Sequence, residues 1–448
     1  MKILLTVHQF FPQSASGTEV LARSVACELI ARGHEVRILT GYQAVQAMED
    51  QDRLDEYDFA GIHVYRFHHA YTPMAGQTSM IELSYNNHLA ATFFDRILEH
   101  YKPDLVHFFH LNRLGTGLIE SAVRAGIPGY MTPTDFWAIC ATGQLILPDG
   151  RQCQGPSVQA GNCVKHFARN RKEGVVGLAA AWLPTKLADG LARLTQTGWL
   201  PAYPYHQEVR AINSRLETNI ARLNQLNRIV VPNNFMRIQL IRHGVLPRRI
   251  VQAAFGVDVV ESGEQSPRAA ARQPLRIGYI GTLGRHKGCH VLIEAFKRLP
   301  VGQAVLWIYG NISDFPEYSN ELLRLAGPQS GIEFKGVFDN SEITEVMSAL
   351  DVLVVPSLWV ENTPLVLYSA QAARCPVVAS DFPGIAEVIQ DEANGLLFEP
   401  GDAQALARQL ARLADDSALV NRLSSNAKPP KSTAAYVNKL LEIWEAAE

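Results

Sequence analysis

No apolar run in this 448-residue chain approaches the roughly 20 residues a membrane-spanning helix needs. The nearest, Val175 to Leu183, is about half that length and stops at Pro184. Net charge is nearly absent: 41 basic and 44 acidic residues leave −3, so neither nucleic acid nor anionic lipid is attracted globally, and any such contact has to be local. Six cysteines (Cys27, Cys140, Cys153, Cys163, Cys289, Cys375) are too few for a disulfide scaffold in a protein of this size. The opening MKILLTV ends its apolar run at His8 and Gln9, short of a secretory leader, and reads as a buried first strand. Short-period repeats and low-complexity tracts are missing too. These absences point to a cytoplasmic protein, with at most a peripheral contact at the inner face of a membrane and no nucleic-acid partner.

What is present is apolar surface, 47% of residues, in a chain long enough for two cores. Lys2–Val7, a Pro/Ser/Gly loop, an amphipathic run from Glu19 to Arg32 closed by Gly33, and Val36–Thr40 form a strand, loop, helix, strand unit, the opening of a doubly wound parallel sheet. A second set follows at Asp104–Phe109, Gly117–Ala125 and Pro128–Thr132. From Asp135 to about Arg210 the rhythm breaks and Gly, Pro, Cys and Trp accumulate, which marks an insert at about 145–205. Residues 261–274 are mostly polar, break every apolar period and read as a linker. The pattern restarts at Leu275–Ile280 and runs through Val377–Ala379. The expected division is therefore a first α/β domain over 1–260, a second over 275–428, and a closing helix within 429–448.

The segment Val354–Ser380, VVPSLWVENTPLVLYSAQAARCPVVAS, runs from a strand into a loop holding Glu361 and then a helix from about Pro364. The amides of Asn362, Thr363, Leu365 and Val366 gather at that helix N-terminus, where the positive end of the dipole suits a diphosphate; an ordinary N-cap explains the same pattern. Ile280–Gly288, IGTLGRHKG, follows a strand and opens a helix, with Gly281 letting backbone approach a ligand and Arg285 and Lys287 supplying charge for a pyrophosphate. Gly17-Thr18-Glu19 is a turn after the first strand, and a turn needed only for packing reads equally well. Met131–Gln144, MTPTDFWAICATGQ, ends a parallel strand, which places Thr134 and Asp135 where open α/β sheets take ligands, and His110 closes the neighbouring strand. His107, one turn of chain earlier, reads as structural. Cys140, Cys153, Cys163 and His166 form a C-x12-C-x9-C-x2-H array of the right softness for zinc, but the spacing departs from common zinc modules, and the expectation is reduced thiols without metal. Val175–Leu194 has amphipathic character that fits ordinary packing or a lipid surface.

The Val354–Ser380 segment resembles the signature of the large retaining glycosyltransferase family 4, P-S-x-W-x-E-N-x-P-L-V followed by E-A-x-A-x-G-x-P-V-V-A-S. Ile280–Gly288 is similar to the family's G-x-L-x-x-x-K-G loop, Gly17-Thr18-Glu19 to its G-G-T-E turn, and Met131–Gln144 to its T-L-[HT]-D-F-W-x-x-C-P segment. The resemblance implies a GT-B fold, two Rossmann-like α/β domains facing each other across a cleft. It also implies a retaining hexosyl transfer from a nucleotide-diphosphate sugar to a carbohydrate or lipid-linked hydroxyl, without a required cofactor or metal. Glu361 and Lys287 match the family's donor-sugar glutamate and diphosphate lysine, and Asp135 its polar group at the reacting hydroxyls. Glu361 and Lys287 with Gly17, Gly281, Arg285, Asn362, Thr363, Leu365, Val366 and Ser369 make the donor side; His110, Thr134 and Asp135 make the acceptor side. Ser369 stands where the family has a second glutamate holding the ribose diol, Arg374 where it has glycine, and Thr282 where it has arginine. Ser369 and Thr282, with Thr134 where relatives often carry histidine, keep open a catalytically silent sugar-nucleotide-binding or scaffold protein; a sugar-nucleotide epimerase on the same fold is the other alternative.

Overall fold

The computed structural model describes residues 1–147, 149–170, 182–258, 273–328 and 331–446. The chain divides into two compact units, Met1–Ala253 with Val437–Glu448, and Ala254–Tyr436. The polar stretch expected as a linker lies, up to residue 272, outside the described residues, as does the first part of the Val175–Leu194 stretch.

The first unit is built on eight strands: β1 (Lys2–Val7), β2 (Glu35–Gln43), β3 (Leu54–Phe59), β4 (Ile62–His69), β5 (Leu105–Phe108), β6 (Gly129–Met131), β7 (Arg228–Val231) and β8 (Ile250–Gln252). Their order across the sheet is β3-β4-β2-β1-β5-β6-β7-β8, parallel except for the β3–β4 hairpin at one edge. β1 is central, paired with β2 on one side and β5 on the other, and Ile3, Leu4 and Leu5 are fully buried. Burial on both faces explains why LLTV reads as a continuous apolar run rather than an alternating one.

A short parallel pair, β9 (Gly256–Val257) with a strand near the chain's end, belongs to the second unit. Its main sheet has six strands: β10 (Leu275–Ile280), β11 (Ala304–Tyr309), β12 (Ile332–Gly336), β13 (Val352–Val355), β14 (Val377–Ser380) and β15 (Leu396–Phe398); β16 (Lys431–Ser432) is the partner of β9. The order β12-β11-β10-β13-β14-β15 is parallel throughout. Val352 and Val354 enter one apolar cluster and Leu353 and Val355 the other, so β13 feeds both faces of the sheet. Read along the chain, the order runs three-two-one-four-five-six, so connections leave in opposite directions on either side of β10 and β13. That reversal opens a crevice at the strands' carboxyl ends. β1 and β5 make the corresponding reversal in the first unit.

Several elements escaped the sequence. The β3–β4 hairpin and the helices Met80–Tyr85 and His88–Tyr101 fill the interval between β2 and β5. The 135–210 interval is also not loop throughout: Gly161–Asn170 and Thr185–Thr197 are helices, and a third begins at His206. They are short and punctuated by Pro184, Pro201 and Pro204, and one turns its leucines outward, so no inward apolar period forms. The closing helix, Thr433–Glu445, joins the first unit from Val437 on: Tyr130 Oη donates to the Trp444 carbonyl at 3.1 Å, and Trp444 Nε1 to His107 Nδ1 at 3.3 Å. No helix among the described residues is long and apolar enough to cross a membrane.

Candidate functional site

In the second unit the loops after β10 and β13 meet. Gly288 adopts a left-handed φ of +71°, and a Cβ there would stand 1.8 Å from the Pro356 carbonyl oxygen, so only glycine lets these two loops touch. The Leu358 amide donates to the His286 carbonyl at 2.8 Å, closing the contact. It delivers Lys287 to Glu361: Nζ lies 2.7 Å from Oε1, and Ser357 Oγ and Trp359 Nε1 reach the same oxygen at 2.7 Å each. Glu361 is 4% exposed, and Lys287 Nζ also sits 4.9 Å from the centre of the Trp359 ring. A carboxylate removed from water is tolerated here because a cation and two neutral donors meet it. Beside them, burial and the Lys287 charge hold the His286 imidazole down at about 4.

Asn362 and Thr363 follow, both buried, and Pro364 caps the helix Leu365–Ala372. The Leu365 and Val366 amides thus lie in its first turn, near Glu361 in sequence and on the same loop. Ser369, one turn further, is half-buried and leans back on the Leu365 carbonyl at 3.4 Å. Gly281 closes β10, its amide donating to the Tyr309 carbonyl at 3.1 Å. Arg285 is more than half exposed, ion-paired with Glu321 and stacked 5.3 Å from the Tyr318 ring centre, so a phosphate has to draw it away from that pair.

In the first unit the residues after β1, β5 and β6 come together with the start of the helix Gly17–Ala31. His110 Nδ1 accepts from the Asn112 amide at 3.2 Å, which leaves Nε2 to carry the proton toward Asp135 Oδ2 at 3.1 Å. The other carboxylate oxygen of Asp135 accepts from the Trp137 amide at 2.7 Å. Behind it Gly143, at φ +73°, leaves space that a Cβ would take from Oδ2 at 2.8 Å. Thr18 donates to Thr134 at 2.8 Å, so the Gly17 turn and the Asp135 loop are joined. His107 is satisfied on both sides, by Trp444 and by Thr132 at 2.9 Å, and burial takes its basicity down to about 3; it is a packing residue.

In this cluster His8 carried no sequence assignment, and Glu19 was read only as part of the Gly17-Thr18-Glu19 turn. The His8 ring lies against His110, tilted by 39° with centres 4.0 Å apart, and its Nδ1 lies 3.8 Å from Glu19 Oε1. Neither of these two buried atoms has a hydrogen-bond partner among the described residues. Glu19 Oε2 is engaged, accepting from the Ser16 amide at 2.8 Å and its hydroxyl at 2.6 Å, a capping box. Burial raises the Glu19 carboxyl and, with the neighbouring His110, holds His8 well below the usual imidazole range. The S-x-x-E spacing at Ser16 and the position of His8 as first polar residue beyond β1 were the available signals.

The three cysteines of the array share a neighbourhood. Burial pushes Cys163 up to about 12 with the Cys140 and Cys153 charges adding to it, and Cys153 is raised as well. His166 is half-buried, and among the described residues no three ligating side chains are disposed to hold a metal.

Residues 16–256 match the model of the glycosyl transferase 4-like domain, and residues 264–429 that of glycosyl transferases group 1. A 204-residue stretch is 29% identical to the amylovoran biosynthesis glycosyltransferase of Erwinia amylovora, covering 44% of this chain and 50% of that protein. A 220-residue stretch is 30% identical to the D-inositol 3-phosphate glycosyltransferase of Corynebacterium urealyticum, covering 44% and 51%. The chain thus spans about half the length of the curated relatives it matches. Among solved structures, Anabaena HepE in complex with UDP and glucose superposes with a TM-score of 0.62 at 17% identity over 100% of both chains. The chain belongs to glycosyltransferase family 4, and its fold is of the GT-B type.

Proposed function

We propose that this chain is a retaining hexosyltransferase that moves a sugar from a nucleotide-diphosphate donor to an acceptor hydroxyl in the synthesis of a surface polysaccharide or glycoconjugate, working in the cytoplasm. The observation that carries the reading is the buried Glu361 carboxylate held against Lys287 at the carboxyl ends of β10 and β13. In this reading Glu361 orients the donor sugar. Lys287, with the Leu365 and Val366 amides and the helix dipole behind them, neutralises charge growing on the leaving diphosphate without a metal. Asn362, Thr363 and Gly281 shape the donor loop, and Ser369 offers the ribose one hydroxyl where relatives offer a carboxylate. Arg285 is a reserve cation, available once it leaves Glu321.

On the acceptor side we assign Asp135, oriented by His110, and Thr134 tied to the Gly17 turn. His8 and Glu19 join them, since a hydroxyl placed between two unpartnered buried atoms satisfies both. The bond from the anomeric carbon to the acceptor oxygen forms on the face from which the diphosphate leaves, and a diphosphate oxygen takes the acceptor proton. The cysteine array is assigned no metal role. The UDP and glucose of the HepE complex and the polysaccharide named for the Erwinia relative support donor and acceptor classes respectively.

The test is donor turnover with a panel of UDP-, GDP- and TDP-sugars, with the product anomer read by NMR. Turnover of one donor with retained configuration is expected. Binding without turnover for every donor would favour the silent-scaffold reading, and an inverted anomer would remove the retaining assignment.

A further inference from the structure

The helix Thr185–Thr197 carries its residues the wrong way round for a helix facing water. Ala188, Ala192 and Thr195 are turned inward, while Leu187, Leu191 and Leu194 are 60%, 48% and 42% exposed. Their spacing of four and three places the leucines on one stripe of the helix. Trp182 and Trp199, just beyond its two ends, are 86% and 82% exposed. A stripe of exposed leucines on one helix, with an exposed tryptophan beyond each end of that helix, marks a surface that another phase or molecule covers.

The charges around it indicate what covers it. Lys186 and Arg193 are exposed on the same helix, and the helix Gly161–Asn170, which packs against it, adds Lys165 and Arg169. One acidic residue, Asp189, lies on these two helices, and it is turned inward: Oδ1 accepts from Ser157 Oγ at 2.7 Å and from the Gly161 and Gln159 amides at 2.8 and 3.2 Å. In a chain of net charge −3 these two helices carry a local excess of cations beside an apolar stripe. A second copy would present the same cations, and isologous pairing would set like charges against each other.

We infer that this face rests on a bilayer containing anionic lipid, with the leucine stripe and both indoles at the boundary of headgroups and acyl chains and Lys186, Arg193 and Arg169 among the lipid phosphates. The inference is independent of the catalytic assignments, because none of these residues belongs to the proposed site.

The full chain is sedimented with vesicles of phosphatidylcholine alone and of phosphatidylcholine mixed with phosphatidylglycerol. Binding to the mixed vesicles, weakened by salt, is expected. The triple variant Leu187→Gln, Leu191→Gln, Leu194→Gln should partition at least about tenfold less. The double variant Lys186→Glu, Arg193→Glu should lose the preference for anionic vesicles. All five side chains are exposed, so circular dichroism and donor turnover in solution should match the parent and separate lost docking from lost folding. Absence of vesicle binding by the parent protein, or unchanged partition of the triple variant, would overturn the inference. A concentration-dependent dimer abolished by the leucine substitutions, without vesicle binding, would do the same.

Discussion

Glu361 in the second unit and Glu19 in the first are both buried carboxylates at the carboxyl ends of parallel strands, and they are satisfied differently. Glu361 gathers a lysine, a hydroxyl and an indole on one oxygen. Glu19 spends one oxygen on capping its own helix and leaves the other 3.8 Å from His8 Nδ1, a ring nitrogen without a hydrogen-bond partner among the described residues. The first is a preorganised ion pair, in which removing either partner strands the other in a poor solvent. The second is an open polar contact that a water or a guest hydroxyl can complete. Organised charge therefore resides with the group assigned to the leaving diphosphate, and unspent hydrogen-bonding capacity with the group assigned to the acceptor.

The largest effect should separate these two carboxylates. Glu361→Gln keeps the shape and the acceptor oxygen but removes the charge, and it should cut turnover at least about a hundredfold, near 3 kcal/mol of transition-state stabilisation. Glu19→Gln, which retains the cap, should cost less than about tenfold. Equal losses in steady-state kinetics would erase the distinction.

Lys287→Ala tests the ion pair from the other side. The dissociation constant of a nucleoside diphosphate should rise about ten- to a hundredfold while that of the nucleoside stays level, because a charge-assisted contact is worth roughly 1.5–3 kcal/mol. Calorimetric titration of nucleoside, monophosphate and diphosphate reads this directly. A uniform loss would make Lys287 a residue that merely holds the two loops together.

Acid should strain the first unit through its histidines. Burial lowers His69 from 6.5 to about 4 and holds His8 far down as well. A histidine whose folded-state pKa is depressed takes up protons more readily when unfolded. Its contribution is full above pH 6.5 and is lost as pH falls toward 4. For His69 the loss between pH 7 and pH 5 is on the order of 2 kcal/mol. Unfolding midpoints at the two pH values should therefore differ less in His69→Gln than in the parent, and an unchanged difference would remove His69 from the account.

The smallest effect is expected at Arg285. Its partner Glu321 is a surface carboxylate, and such pairs contribute about 0–1 kcal/mol. Arg285→Ala should shift diphosphate affinity less than about threefold in the same titration. A loss as large as that of Lys287→Ala would show that the arginine leaves Glu321 for the phosphate.

Sequence alone determined the family, the two parallel sheets and the loop that carries Glu361. These depend on interactions within short spans of chain: a strand buried on both faces must be continuously apolar, and Ser357, Trp359 and Glu361 lie within five residues of one another. The same locality made the Gly281–Gly288 loop readable. The helix Thr185–Thr197, of which only amphipathic character was legible, turns its leucines away from the core, and β4 went unread although Ile62, Val64 and Phe67 are buried, because His63, Arg66, His68 and His69 interrupt its apolar residues. Only the tertiary structure decided that Arg285 turns to Glu321 and that His8 meets Glu19 and His110. The pairing of β1 with β5 brings His8 to His110, and Arg285 meets Glu321 where the loop after β10 reaches the helix Pro316–Ala326; an imidazole or a guanidinium chooses its partner by distance in space, which spacing along the chain does not encode.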